Sequence, residues 1–178
     1  NGRPLSLRGT TDCAIHPLTG CPPTDPEAWR KKFRAVKEYG LNYVRFHAWC
    51  PPEAAFAAAD EAGVYLSVEM PFWLNLDIGQ AEAGEDLAHE IFFREEAIRI
   101  SRAYGNHPSF LLFSNGNEIL GDFELLEELT QQMKALDPRR LYTLTSNFDH
   151  PASPWEDYFC AFEVQGHPAR LQHLQEEA

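Results

Sequence analysis

Residues 106–118 read Asn-His-Pro-Ser-Phe-Leu-Leu-Phe-Ser-Asn-Gly-Asn-Glu, and this stretch decides the fold. The apolar run at 110–113 stands between the turn dipeptide His107-Pro108 and Gly116, a pattern typical of a buried strand in a parallel sheet. Polar residues begin where the run ends, so we expect Asn117 and Glu118 at the carboxyl end of that strand. In (β/α)8 barrels the catalytic residues gather at this end of the strands. A carboxylate beside an amide there suits a general acid next to a substrate hydroxyl.

Hydrophobic patterns on both sides of this stretch alternate between strand and helix. Further strands are predicted at 5–11, 42–47, 64–70 and 141–146, with a weaker one at 158–164. One helix begins at the capping-box spacing Thr24-Asp25-Pro26-Glu27 and is closed by Gly40, and another covers 52–62 and ends at Gly63. After a polar loop at 75–86, apolar stripes mark two more helices. The first stripe is Phe93, Ala97, Ile100 and Tyr104, and the second is Leu126, Leu129, Met133 and Leu136. A last helix is predicted to start within 170–178.

Strands that alternate with helices indicate right-handed βαβ units and a parallel sheet. No glycine-rich fingerprint follows the first strand, which argues against a dinucleotide-binding Rossmann domain. The chain has 178 residues, whereas a complete (β/α)8 barrel typically needs about 250. The sequence therefore predicts an α/β fold: one partial TIM-type barrel domain over residues 1–178, with about five or six βα units.

Charge and composition disfavour several classes of partner. Fifteen basic and 27 acidic residues give a net charge of −12, which argues against nucleic acid and anionic membrane, since both require a positive surface. No apolar run approaches the ~18 residues of a membrane span. The opening Asn1-Gly2-Arg3-Pro4 is typical of a turn and predicts an excised or processed piece. The sequence leaves the cellular compartment open.

The pattern of cysteine and histidine predicts neither a metal nor a cofactor. Cys13, Cys21, Cys50 and Cys160 form no CxxC pair and no zinc-like spacing, and the chain has no His-x-His or HExxH motif. A bridge between Cys13 and Cys21 is one interpretation, and free thiols are the preferred one.

Glycoside hydrolysis is one chemistry that such a strand end supports. It requires two carboxylates, one to protonate the leaving oxygen and one to attack or to activate water. Glu118 has the placement of the acid; the alternative is that Asn117-Glu118 starts the next helix, where acidic residues are favoured. Glu69 ends the third strand as a second carboxylate, and Glu163 in the weak sixth strand is a poor candidate for the nucleophile.

Two basic side chains lie in the predicted second strand. Arg45 interrupts an apolar segment, and a buried guanidinium needs an acceptor that a carboxylate at the same sheet edge would supply. The alternative is a structural ion pair, or an outward position beneath a helix. His47 is a candidate for binding substrate, and its alternative is a satisfied structural histidine.

Aromatic and polar residues near the strand ends are candidates for sugar binding. Sugar rings present apolar C–H faces that stack on aromatic planes, and the candidates for this role are Trp49, Phe72 and Trp73. Ordinary packing over the strand ends is the alternative. Candidates for hydrogen bonds to hydroxyl groups follow the fifth strand: Ser146, Asn147 and Asp149. Asn and Asp are equally common in turns.

Three of these segments resemble glycoside hydrolase family 2, the β-galactosidase and β-glucuronidase family. Residues 1–9, Asn-Gly-Arg-Pro-Leu-Ser-Leu-Arg-Gly, are similar to the usual beginning of that family's catalytic barrel. Asn42-Tyr43-Val44-Arg45 resembles its second strand, and the stretch from Asn106 to Glu118 resembles its acid/base signature. The resemblance is carried by residues 1–120.

The resemblance implies retaining hydrolysis of a β-linked glycoside, with a carbohydrate as the substrate and no cofactor. Glu118 would act as acid and then as base, Asn117 would hold the sugar 2-hydroxyl, and Arg45 would orient the nucleophile. The family takes that nucleophile from a glutamate on the seventh strand, which we expect beyond this chain, together with other domains of a parent protein. By itself the chain is then expected to be inactive, and marginally stable or associating because of its open sheet edges.

One feature departs from the family pattern. A histidine often lies three positions after the arginine, whereas here His47 lies two positions and Trp49 four positions after Arg45.

The rival interpretation is a non-catalytic carbohydrate-binding or structural barrel domain, which would keep the aromatic residues and Asn117 without needing a second carboxylate.

Overall fold

The computed structural model describes residues 4–76, 83–146 and 153–159. The strands are β1 (Gly9–Asp12), β2 (Tyr43–Phe46), β3 (Tyr65–Glu69), β4 (Trp73–Leu76), β5 (Phe110–Ser114), β6 (Asn117–Gly121) and β7 (Leu141–Thr143). The helices are α1 (Pro26–Glu38), α2 (Glu53–Ala62), α3 (Ala83–Tyr104) and α4 (Phe123–Leu136).

Five strands form one sheet in the order β1-β2-β3-β5-β7, and every neighbouring pair is parallel. One helix connects each strand to the next in this sheet, so the chain advances by βα units in a single direction. The predicted alternation and parallel sheet are confirmed, and the arrangement is that of a partial (β/α) barrel. Because all five strands are parallel, their carboxyl ends lie at one edge, where functional residues of such folds collect.

Helix α1 shows how local sequence sets these elements. Its N-cap is Asp25, whose side chain accepts a hydrogen bond from the backbone N–H of Glu27 at 3.1 Å, so the prediction that the capping box begins at Thr24 is wrong by one residue. Pro26 follows at the start of the helix, where its missing N–H costs nothing. Gly40 follows the helix with φ +73°, as predicted for a C-terminal glycine.

The hydrophobic core lies between the sheet and the helices. Alternate residues of the strands face it, among them Val44 and Phe46 of β2 and Leu66 and Val68 of β3. They pack against the apolar stripes of the helices, which contribute Trp29, Phe33, Phe56, Phe93, Leu126 and Leu129. The other strand residues therefore face the barrel interior, and Arg45 is one of them.

Several element boundaries differ from the sequence prediction. β1 begins at Gly9 rather than at 5 because the chain before it does not form the ladder: the side chain of Asn42 instead accepts from the N–H of Arg8 and donates to the carbonyl of Ser6. β7 ends at Thr143 rather than at 146. On α4, Leu136 is exposed although the stripe predicted it as buried.

A second, two-stranded parallel sheet pairs β4 with β6, and sequence analysis missed it. It takes in Asn75 and Leu76, which were predicted as loop, and it places Asn117 and Glu118 at the start of a separate strand instead of at the end of β5. Two short strands that are 40 residues apart in sequence give no local signal of their pairing. The predicted sixth strand is absent at residues 158–159, and its remainder and the predicted helix at 170–178 lie outside the described residues.

The segment 153–159 runs along β7, the last strand of the sheet. The N–H of Asp157 donates to the carbonyl of Tyr142, and its carboxylate accepts from the N–H of Tyr142. Among the described cysteines, Cys13, Cys21 and Cys50 are free thiols. In the described ranges no helix is long and apolar enough to cross a membrane.

Candidate active site

The site lies at the carboxyl edge of the large sheet, beside the β4–β6 sheet. β2 brings Arg45, β3 ends in Glu69, β6 begins with Asn117 and Glu118, and Ser146 follows β7. These residues are up to 101 positions apart in sequence. Parallel register brings them together, since Arg45 pairs with Ser67 and Glu69 with Ser114.

A buried ion pair joins Arg45 to Glu69. The Arg45 Nε donates to Glu69 Oε1 at 2.5 Å, and the backbone N–H of Ala48 donates to Glu69 Oε2 at 2.7 Å. The Glu69 side chain is only 2% exposed, so both of its oxygens are used inside the protein. Since a carboxylate in this environment is tolerated only when it is paired and hydrogen-bonded, Glu69 holds Arg45 in place.

Asn117 binds the arginine of this ion pair. Its Oδ1 accepts from Arg45 Nη2 at 2.7 Å and from Ser146 Oγ at 2.7 Å, which fills both lone pairs of the amide oxygen. The amide orientation is therefore fixed. The Nδ2 is buried and has no hydrogen-bond partner within residues 4–76, 83–146 and 153–159.

Glu118 has an unusual backbone. Its φ is +48°, the left-handed region that costs a non-glycine residue roughly 1–2 kcal/mol. The β4–β6 register shifts by one residue here, between the pairs Trp73–Asn117 and Asn75–Leu120. Such bulges redirect side chains, and in this one the Glu118 carboxylate reaches Trp73, whose Nε1 donates to Oε2 at 3.0 Å.

The alternative interpretation of Glu118 as a helix start is wrong. Helix α4 begins five residues later, at Phe123, and its N-cap is Asp122, which accepts from the N–H of Leu125.

Gly116 lies between β5 and β6 in a tightly packed position with φ +151°. An added Cβ there would lie 2.7 Å from both the carbonyl oxygen of Phe72 and the side chain of Ile119.

Aromatic residues stand beside the carboxylate. The rings of His47 and Trp73 meet edge to face, with their centroids 5.2 Å apart. Trp73 is 58% exposed, so one large apolar surface is open to solvent next to Glu118. His47 is half-buried, which places both residues at the rim where the sequence predicts sugar contacts.

Two predicted substrate contacts, Trp49 and Glu69, interact with other parts of the protein instead. Trp49 packs on the helix side of the sheet, where its ring centroid lies 5.1 Å from that of Phe46 and 6.4 Å from that of Trp29. Its Nε1 donates a hydrogen bond to the backbone carbonyl of Asp12. The packing alternative therefore describes it, because a turn with Ala48 at φ +52° directs it toward α1. Glu69 is corrected from a ligand contact to an internal partner of Arg45, since burial leaves it no free oxygen.

Sequence reasoning underestimated the residues after β7. Ser146 was a candidate for binding hydroxyls, yet its Oγ contacts protein groups, and Thr145 Oγ1 accepts from the N–H of Ile119 at 2.9 Å. Adjacent hydroxyl residues after a buried strand were the available signal. Asn147, Asp149 and Glu163 lie outside the described residues. In the described part of the chain no three His, Cys, Asp or Glu side chains are grouped as a metal would require.

A parallel sheet of βα units with an arginine, an amide and a carboxylate at its carboxyl edge defines the class: part of a (β/α) barrel. Residues 1–177 match the family described as "Glycosyl hydrolases family 2, TIM barrel domain", and the chain belongs to that family.

The chain is similar to curated relatives in sequence and to a solved structure in fold. The chain is 28% identical over 143 residues to a β-galactosidase of Thermoanaerobacter pseudethanolicus, a match that covers 79% of this chain and 18% of that protein. It is 28% identical over 137 residues to a β-glucuronidase of Pongo abelii, covering 73% and 20%. In fold it is similar to the crystal structure of an FMN-binding β-glucuronidase from Facaelibacterium prausnitzii L2-6, with a TM-score of 0.74, 24% identity, and coverage of 89% and 25%. The chain thus spans about a fifth of the length of these two curated relatives.

Proposed function

We propose that this barrel is the catalytic domain of a retaining β-glycosidase in which Glu118 is the general acid and base. The observation that carries the proposal is the pairing of a half-buried carboxylate, Glu118, with the fixed amide of Asn117. This amide leaves its N–H2 end without a partner in the described part of the chain. The acid that protonates a leaving group and the donor that holds a neighbouring sugar hydroxyl are both present on consecutive residues.

The two oxygens of Glu118 have different surroundings. The Trp73 indole N–H donates to Oε2, and this is the hydrogen bond that the Glu118 carboxylate accepts within residues 4–76, 83–146 and 153–159, so Oε1 is left for the substrate. We therefore assign the transferable proton to Oε1. In the first step this proton goes to the glycosidic oxygen as its bond to the anomeric carbon breaks and the second carboxylate, the nucleophile, bonds to that carbon. In the second step water attacks the anomeric carbon, the bond to the nucleophile breaks, and the Glu118 carboxylate takes the proton of the water.

Asn117 supports the same chemistry. A buried N–H without a partner costs free energy, and a sugar 2-hydroxyl would supply the missing acceptor. This contact strengthens as the ring approaches its oxocarbenium-like transition state. Arg45 contributes indirectly, since its Nη2 bond holds the amide oxygen of Asn117.

The nucleophile is a second carboxylate, and Glu69 is a poor choice for it. Both Glu69 oxygens accept hydrogen bonds from Arg45 and Ala48, and a nucleophile needs a free oxygen aimed at the anomeric carbon. We propose that the nucleophile is a glutamate of a later strand in the complete protein, about 5–5.5 Å from Glu118 as retaining enzymes require.

The substrate proposed is a β-linked glycoside, with Trp73 and His47 at the rim where a sugar or leaving group would stack. Asn147 stays a predicted hydroxyl ligand. Two relatives are named β-galactosidase and β-glucuronidase, so hexosides and hexuronides are the first substrates to try. Further domains of the complete protein are proposed as partners besides carbohydrate.

The test is an assay of the complete gene product that contains this barrel on a panel of aryl β-glycosides. Glu118→Ala should reduce turnover strongly for substrates with poor leaving groups and less for activated substrates. Azide should partly restore the turnover of the activated substrates. Glu124→Ala, which removes an exposed carboxylate from the first turn of α4, is the matched control and should leave activity intact.

Two results would contradict the proposal. Unchanged turnover in Glu118→Ala would move the acid–base role to another residue. Absence of turnover in the wild-type protein across the panel, together with saturable binding of the same glycosides, would favour the carbohydrate-binding domain instead.

A further inference from the structure

We infer that Ser146 is a positioning residue that sets both the acid/base and the 2-hydroxyl donor of this site. The inference rests on the proposed function and extends it to a residue that follows a third strand, β7. Ser146 is fully buried and lies just after β7, at the same carboxyl edge as Arg45 and Glu118.

The Ser146 hydroxyl uses its entire hydrogen-bonding capacity on the site. It donates its one proton to Asn117 Oδ1 at 2.7 Å. It accepts from Arg45 Nη2 at 2.9 Å and from the backbone N–H of Glu118 at 3.3 Å. A serine hydroxyl has one donor and two acceptor positions, so no capacity is left for substrate, and Ser146 acts through its three neighbours.

The contact with Asn117 determines which end of the amide faces a ligand. With Oδ1 held by both Ser146 and Arg45, the amide cannot flip without losing two hydrogen bonds, and Nδ2 is kept on the opposite side. Loss of the Ser146 hydroxyl would leave Oδ1 with Arg45 as its remaining partner. The orientation that presents a donor to the sugar 2-hydroxyl would then be less populated.

The contact with Glu118 acts on a strained backbone. At φ +48° the peptide is held away from its preferred conformation, and such conformations persist only where surrounding interactions fix them. Ser146 binds the N–H of this residue itself, and Thr145 binds the next one, Ile119. The two hydroxyl residues after β7 therefore hold the bulge that directs the Glu118 carboxylate toward Trp73.

The test measures the coupling between Ser146 and the substrate 2-hydroxyl in the complete protein. Turnover of an activated aryl β-glycoside and of its 2-deoxy analogue is compared in wild type and in Ser146→Ala. The measured quantity is the rate on the parent glycoside divided by the rate on its 2-deoxy analogue. This ratio does not depend on how much of the protein is folded, because both substrates are given to the same preparation. We expect this ratio to fall about tenfold in Ser146→Ala, as loss of one well-placed hydrogen bond implies.

Two further variants complete the design. Ser146→Cys retains a weak donor at nearly the same volume and should give an intermediate ratio; it also serves if the alanine variant fails to fold. Ser101→Ala removes another buried hydroxyl, one on α3 whose Oγ has no partner in the described ranges, and should keep the wild-type ratio.

The outcomes separate this inference from the proposed function. If wild type hydrolyses the glycosides and depends on Glu118, but both Ser146 variants keep the wild-type ratio, the positioning role of Ser146 is overturned. If wild type is inactive on the whole panel, the proposed function itself has failed. A reduced ratio in Ser101→Ala as well would show a general packing effect and overturn the inference.

Discussion

The indole Nε1 of Trp73 donates a hydrogen bond to Oε2 of Glu118 over 3.0 Å. The two residues belong to different strands of the small β4–β6 sheet, in which Trp73 stands opposite Asn117. An exposed aromatic plane is thereby attached to the carboxylate that we propose as the acid. The small sheet thus has a clear consequence for the site, since without its pairing Trp73 would not lie within reach of Glu118.

Replacing Trp73 by Phe keeps an aromatic plane and removes the N–H donor. We expect turnover of substrates with poor leaving groups to fall about tenfold, because a misplaced acid matters most when the departing oxygen needs a proton. Activated aryl glycosides should change much less. The measurement is kcat and kcat/KM for both substrate types, with Trp155→Phe in the segment 153–159 as the control. An equal loss on both types would argue against the role assigned to this hydrogen bond.

Glu69→Gln removes the charge that is paired with Arg45 and retains the side-chain size. Because the Arg45 side chain is 18% exposed and its partner 2%, the guanidinium would lose the charge of Glu69 at a largely buried position, and we expect the free energy of unfolding to fall by about 3 kcal/mol. Chemical denaturation at neutral pH measures this change. Glu61→Gln breaks the solvent-exposed pair with Arg30 and should leave the transition nearly unchanged, as surface pairs generally do. Similar effects of the two variants would refute the assignment.

Gly116→Ala tests the close approach that places β6. The added Cβ would lie 2.7 Å from the carbonyl oxygen of Phe72, and that oxygen accepts the N–H of Asn117. We expect a loss of stability of roughly 2–3 kcal/mol and a loss of turnover, because the start of β6 must shift. Gly40→Ala shares a positive φ but meets nothing within 4 Å, so thermal unfolding should show a cost of only about 1 kcal/mol. Full activity in Gly116→Ala would contradict the tight packing.

Asp137 links stability to acid pH. Its hydrogen bonds with Arg139 lower the pKa of the carboxyl from its ordinary value of 3.8 to about 2, and the charge of Arg140 contributes. A carboxyl whose pKa is lower in the folded state stabilises the fold above the unfolded-state pKa, and this contribution disappears as the pH falls from about 4 toward 2. Asp137→Asn should therefore lose about 2 kcal/mol at neutral pH.

The corresponding measurement is the free energy of unfolding of wild type and variant between pH 7 and pH 2. The difference between the two should shrink across the acid range. Asp25→Asn, which keeps a side-chain acceptor at the cap of α1, is the control and should show no such convergence. A pH-independent difference for Asp137→Asn would contradict the linkage.

Local sequence was sufficient for the large sheet and its helices. The apolar run at 110–113 and its turn residues predicted β5, and Gly40 and Gly63 marked the ends of α1 and α2 because both take the left-handed conformation. The same local patterns placed Glu118, Asn117 and Arg45 near one edge of the sheet, although Asn117 and Glu118 begin β6 instead of ending β5. Trp49 shows the limit of local sequence, because an aromatic residue after a strand gives the same local pattern whether its side chain faces a ligand or the core.

What the sequence determined by itself is the alternation of strands and helices, and with it the edge at which polar side chains collect, because both follow from periodicity and from turn residues in continuous segments. Tertiary structure decided how these side chains are used. The β4–β6 pairing, the bulge at Glu118, the capture of Glu69 by Arg45 and the three contacts of Ser146 all join residues that are distant in the chain. Their energies depend on register and burial, which no local pattern encodes.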